Sequence, residues 1–136
     1  MDCIFCQEPG GTVLWQDAFC RVILAGEPDY PGLCRVILNR HAKEMTDLSV
    51  AEQIRLFSVV MAAEAAVRQV MAPDKINLAS LGNLVPHLHW HVIPRYADDR
   101  HFPEPIWAQA RRAAAPRVAA AALEQDLRSV LMQRLT

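Results

Sequence analysis

The chain has no surplus of charge of either sign and no long apolar run. Its 14 Lys and Arg against 15 Asp and Glu leave a formal net charge of -1, which argues against nucleic-acid binding through a broad basic surface. Any anionic ligand must then be held by local donors. No stretch approaches the length of a membrane span, and the opening MDCIFC lacks a basic region leading into a signal-like apolar run. No membrane association is expected, and a cytoplasmic location is. Cysteine is sparse, at 4 residues. Cys20 and Cys34 lie in apolar, strand-like runs and read as small buried hydrophobes. Cys3 and Cys6 form a C-x-x-C pair, which in a reducing compartment points to zinc or redox chemistry before a structural disulfide. No strand precedes the pair, as a thioredoxin-like motif would require. Two cysteines cannot close a tetrahedral site, so zinc would need two further ligands. We find no internal repeats. What remains, 136 residues with 52% hydrophobic and 21% charged, describes one compact domain with a real core.

The most informative stretch is HLHWHVIPR, residues 87–95. It places His87, His89 and His91 at every second position, so an extended strand brings the three imidazoles out on one side. Leu88, Trp90 and Val92 then form the core face. The β-branched Val92 and Ile93 and the stop at Pro94 favour a strand over a helix. Clustered imidazoles build poor cores but serve metal binding, proton transfer or attack on phosphorus.

Along the chain, Thr12 to Gln16 and Phe19 to Ala25 read as strands joined at Asp17 and Ala18, and Leu33 to Asn39 as a third. His41 follows where that strand ends. Ser49 and Glu52 have capping-box spacing and open a long helix that ends around Met71, before Pro73. Val50, Ile54, Phe57 and Met61 form its apolar stripe and are expected in the core. Lys75 to Ala79 is a further strand, followed by the loop SLGN. Strands on both sides of one long helix predict an α+β domain with an antiparallel sheet. His101 reads as a lone surface histidine in a polar loop. Beyond Ile106, Pro116 divides two expected helical pieces, the second with Leu123, Leu127, Val130, Leu131 and Leu135 on one face. We expect the domain proper to span residues 1–105 and a C-terminal helical extension to span residues 106–136.

Ser80, Gly82 and Asn83 place small or amide residues where backbone N–H groups can hold phosphate near the histidines. A neutral imidazole is a competent nucleophile toward phosphorus, and a neighbouring imidazolium can protonate the departing oxygen. Asn77 and Asn83 can orient an imidazole or a phosphoryl oxygen, although each also reads as a turn or strand-end residue. Metal binding by the triad itself is the competing chemistry, with Asp98 and Asp99 the nearest carboxylates but past Pro94.

His87-Leu88-His89-Trp90-His91-Val92-Ile93 matches H-x-H-x-H followed by two apolar residues. Together with CIFC, His41 after LCRVILN, the long helix, and IN…LGN…PHLHWHVIPR, it resembles the histidine triad (HIT) superfamily over about residues 1 to 100. The resemblance implies an antiparallel sheet with one long helix packed on it, in a homodimer that acts on a purine nucleotide or dinucleotide without an organic cofactor. It implies hydrolysis of a dinucleoside polyphosphate or nucleoside phosphoramidate. In that scheme His89 attacks the α-phosphorus, the covalent nucleotidyl-histidine is resolved by water, and His87 and His91 support it. Asn77, Ser80, Gly82 and Asn83 fall at the phosphate side. His91 stands where the uridylyltransferase branch carries Gln, which favours hydrolysis over transfer. The resemblance also implies a structural zinc on Cys3, Cys6, His41 and His87, a closed set with no open position. One departure is the acid that holds the ribose in such proteins. Ala25 and Gly26 stand there, and Glu27 is the nearest carboxylate, so discrimination between ribo- and deoxyribonucleotides is expected to be weak. The alternative reading is a nucleotide-binding or sensing dimer with little catalysis.

Overall fold

The computed structural model describes residues 2–117 and 119–136. A short helix α1 (Ile4–Gln7) leads into strands β1 (Thr12–Gln16), β2 (Cys20–Leu24) and β3 (Cys34–Leu38). A 3-10 turn (Met45–Asp47) precedes the long helix α2 (Val50–Met71), which is followed by β4 (Lys75–Ala79), β5 (His89–Arg95) and α3 (Leu123–Leu135). The strands form one antiparallel sheet in the order β1-β2-β3-β5-β4. The α+β architecture and the antiparallel sheet under one long helix are as the sequence leads one to expect.

The pleat sorts the strands into two faces. Cys20, Val22, Cys34, Val36, Leu38, Leu88 and Val92 point to one side and pack against Leu56, Val60, Ala63 and Val67 of α2 and Leu127 and Leu131 of α3. The opposite face carries Ile23, Arg35, Ile37, His89 and His91 and lies under the N-terminal segment. The turn between β1 and β2 is closed by the Asp17 carboxylate, which accepts from Phe19 N and Cys20 N at 2.9 Å. One repeat does exist, against the reading of none: β2 and β3 are the same pentapeptide, CRVIL. The two copies pair antiparallel about Val22↔Val36, which puts Arg21 and Arg35 on the same face.

Helix α2 begins with the expected reciprocal Ser49/Glu52 box and ends in a left-handed Ala72 just before Pro73. Its buried face is not the expected one. Val50 (70% exposed), Ile54 (64%), Phe57 (41%) and Met61 (47%) face solvent, and Leu56, Val59, Val60, Ala63, Ala66 and Val67 are buried. Both sets have helical spacing, so periodicity alone cannot choose between them. The alanines decide, because small side chains let the helix axis approach the sheet closely.

Of the two helical pieces expected around Pro116, only the second forms. Residues 106–117 contain no helix. The loop before them takes their hydrogen-bonding groups: Arg112 Nη1 donates to Asp99 O and Phe102 O, and Arg111 N donates to Arg100 O. Helix α3 buries Leu123, Leu127, Val130 and Leu131 as expected. Arg128 ties it to β1 through Val13 O at 3.1 Å.

His101 is not a lone surface histidine. Its Nδ1 lies 2.7 Å from the Tyr30 hydroxyl, and the two rings stack. Asp99 does not reach the triad. It forms a bidentate ion pair with Arg95, the two side chains 3% and 2% exposed, and it accepts from the backbone N–H of Tyr96, His101 and Phe102. Among the described residues no helix is long and apolar enough to cross a membrane.

Candidate active site and metal-ligand cluster

The three histidines do not share one environment, because the strand begins only at His89. His87 precedes it in a bend and is fully buried. Its Nε2 lies 2.6 Å from Leu38 O. A carbonyl oxygen only accepts, so this nitrogen carries the proton and Nδ1 carries the lone pair. That lone pair points at Cys3 Sγ (3.2 Å), Cys6 Sγ (3.5 Å) and His41 Nδ1 (3.3 Å), and Cys6 Sγ lies 3.6 Å from His41 Nδ1. The four ligand atoms of Cys3, Cys6, His41 and His87 all fall within 4.8 Å of one another and could hold a metal ion. Zinc at about 2.3 Å from sulfur and about 2.0–2.1 Å from nitrogen has tetrahedral edges of about 3.6 Å for S···N and about 3.3 Å for N···N. The residues fit that ion.

Arg21 delivers the cysteines to this position. Its guanidinium donates to Phe5 O (2.7 Å), Glu8 O (3.1 Å), Pro9 O (2.8 Å) and Asn39 Oδ1 (2.9 Å), clamping the N-terminal segment onto the sheet. Gly10 and Gly11 permit the close approach: a Cβ on Gly10 would lie 2.9 Å from Ile37, and one on Gly11 2.4 Å from Leu24 O.

His89 and His91 line a cleft of about 690 Å³ on the same face. His89 Nδ1 lies 2.6 Å from His87 O, so by the same logic Nδ1 is protonated and Nε2 keeps its lone pair. Phe5 packs edge-on against His89, and His91 packs edge-on against both His89 and Trp107, each at 5.0 Å between ring centroids. Burial holds the His89 imidazole below its usual pKa, with Arg35 adding to the effect. Burial, His89 and Arg35 together push His91 down to about 4. Both rings are therefore neutral at pH 7 in the free protein.

The remaining expected residues divide. Gly82 and Asn83 line the cleft with the two histidines. Ser80 Oγ is spent on His89 O at 2.7 Å and holds the strand. Asn77 sits on the same face opposite Ile93, and its Oδ1 accepts from Arg95 at 2.8 Å. Glu27 is exposed and lies outside the cleft. Sequence reasoning missed Arg21, Arg35, Arg95 and Trp107. The signal for the first two was a lone arginine in each apolar CRVIL strand, at the parity opposite to the core residues. Trp107 carried no signal, since its place depends on how the loop after β5 folds back.

A 98-residue match, 68% of this chain and 50% of the relative, is 29% identical to an AP-4-A phosphorylase of Mycobacterium tuberculosis. A 95-residue match, 66% and 52%, is 27% identical to the asymmetrical bis(5'-nucleosyl)-tetraphosphatase of Schizosaccharomyces pombe. The chain thus spans about half the length of these curated relatives. The crystal structure of a histidine triad protein from Marinobacter aquaeolei is similar with a TM-score of 0.76 at 27% identity, covering 93% of this chain and 92% of that one. Residues 7–98 match the HIT domain, well over half of the chain, and the protein belongs to the HIT domain family.

Proposed function

We propose that the protein is a nucleotide hydrolase of the histidine triad type, cleaving a dinucleoside polyphosphate or nucleoside phosphoramidate through a nucleotidyl-histidine at His89. The observation that carries this is the His89 Nδ1 contact to His87 O, which leaves Nε2 as the nucleophilic nitrogen in a cleft large enough for a nucleotide. The Nε2 lone pair attacks the α-phosphorus, the bond to the leaving group breaks, and that group departs with the electron pair and a proton. Water then attacks phosphorus, the P–N bond breaks, and nucleotide is released. His91 is the proton source, since a bound polyanion favours its imidazolium. Gly82 and Asn83 hold phosphoryl oxygens, Ser80 and Asn77 position β5 and Arg95, and the carboxylate that lines the cleft is Glu8, with Glu27 outside it. The named activities of the Mycobacterium and Schizosaccharomyces relatives, on AP-4-A and on bis-nucleosyl tetraphosphates, support this substrate class.

In the same reading the Cys3, Cys6, His41 and His87 cluster holds a structural zinc. When bound, the ion would tie the N-terminal segment to the strand and leave no open position for chemistry. His87 then serves catalysis only through its carbonyl. Thiolate ligands of this kind persist in a reducing compartment, which accords with a cytoplasmic location. A nucleotide sensor with little turnover is the second reading, favoured by Ala25 where an acid would hold ribose. His89→Ala decides: it should reduce hydrolysis of diadenosine tetraphosphate at least about 10³-fold and leave AMP affinity within about threefold. Retention of most of the rate would overturn covalent catalysis by His89.

A further inference from the structure

The repeated pentapeptide sets up a comparison inside one molecule. Arg21 and Arg35 occupy the same position of CRVIL on the same sheet face. Arg21 satisfies its guanidinium with four acceptors. Arg35 is half-buried in the cleft wall and forms no hydrogen bond or ion pair among the described residues. Its one carboxylate neighbour acting through space is Glu27, which is exposed and does not pair with it. A guanidinium withdrawn from water without a partner is costly, and an incoming anion offsets that cost. The register places Arg35 directly opposite His91, at a Cβ separation of about 5 Å for such pairs. Trp107 packs edge-on against His91. Any phosphate attacked at His89 thus lies one histidine away from an unused bidentate donor.

We propose that Arg35 is the second anion-binding group of the cleft and selects ligands that carry a further phosphate beside the one attacked at His89. The favoured substrates are then nucleoside and dinucleoside polyphosphates, and a phosphoramidate with an uncharged leaving group is a poorer one. This rests on the hydrolase reading above. The planar fork takes two phosphoryl oxygens at once.

The test compares diadenosine tetraphosphate with adenosine phosphoramidate for wild type, Arg35→Leu and Arg35→Lys, alongside calorimetric affinities for ADP and AMP. Arg35→Leu should lower the ratio of kcat/KM for the tetraphosphate to that for the phosphoramidate about 10- to 100-fold, chiefly through KM for the tetraphosphate. Arg35→Lys should recover part of the loss, since it restores the charge without the fork. Wild type should bind ADP more tightly than AMP, and Arg35→Leu should erase that difference. Equal losses on both substrates, or none, would overturn the inference while the hydrolase reading stands. If neither substrate turns over yet the ADP preference depends on Arg35, the hydrolase reading fails and the Arg35 assignment survives. Arg35→Leu breaks no internal bond, so it should melt at or above the wild-type temperature. Should it not fold, the ADP-to-AMP ratio of Arg35→Lys carries the decision.

Discussion

Two arginines of this protein are paid for in different ways. Among the described residues Arg35 has no hydrogen-bond or ion-pair partner in the cleft, whereas Arg95 is fully committed to Asp99, Asn77 and Glu104 O. Burial alone would raise the Asp99 carboxyl, but Arg95 and the N–H groups of Tyr96 and His101 more than reverse this and hold it well below the usual 3.8. A depressed folded-state pKa contributes stability that is present above the unfolded value and lost as pH falls through the folded one. Asp99→Asn should therefore cost about 3–5 kcal/mol at pH 7, because Arg95 is left buried and unpaired. The gap between the variant's melting temperature and that of wild type should narrow below about pH 4. A constant gap from pH 7 to pH 2 in thermal melts would contradict the ion-pair account.

At the scale of elements, the N-terminal segment is the part most dependent on chemistry other than packing. It is short, contributes Phe5 to a small cluster with Ile23 and Ile37, is clamped by Arg21, and carries two of the four residues that could hold a metal ion. Metal binding to such a set is folding free energy. Protein purified without added metal should carry about one equivalent of zinc by elemental analysis, and chelation should lower Tm. Cys3→Ser should reproduce the chelated Tm and make further chelator ineffective. A zinc content under about a tenth of an equivalent would remove the metal from the account.

At the scale of the whole molecule, the exposed stripe of α2 asks for a cover. Val50, Ile54, Phe57 and Met61 line one surface, and Phe57 lies against Trp90, whose buried indole N–H has no acceptor among the described residues. Strand β4 ends the sheet beside it. Contiguous apolar surface of this kind marks an interface. We expect a homodimer through this face. Sedimentation velocity should show a dimer for wild type and a monomer for the Ile54→Glu, Phe57→Asp double variant. A wild-type monomer at micromolar concentration would reject it.

Much of this was written locally. Short apolar runs between turn-forming residues marked β1, β2 and β3, the Ser49/Glu52 box and Pro73 bounded α2, and residue parity put Leu88, Trp90 and Val92 on the face opposite His89 and His91. The C-x-x-C pair Cys3 and Cys6 showed by itself only that two further ligands were needed; His41 and His87 were implied by the resemblance, and the meeting of all four needed the fold. What sequence could not decide were choices between equivalent patterns. Two apolar stripes of α2 share the helical period, and only contact with the sheet selected the alanine-bearing one. Two identical CRVIL strands present identical arginines, and the path of the N-terminal segment, together with Asn39, supplied acceptors to Arg21 while leaving Arg35 open to the cleft. Periodicity and spacing are properties of one element and can be read along the chain. Partnership is a property of two, and it exists only once distant segments have been brought together.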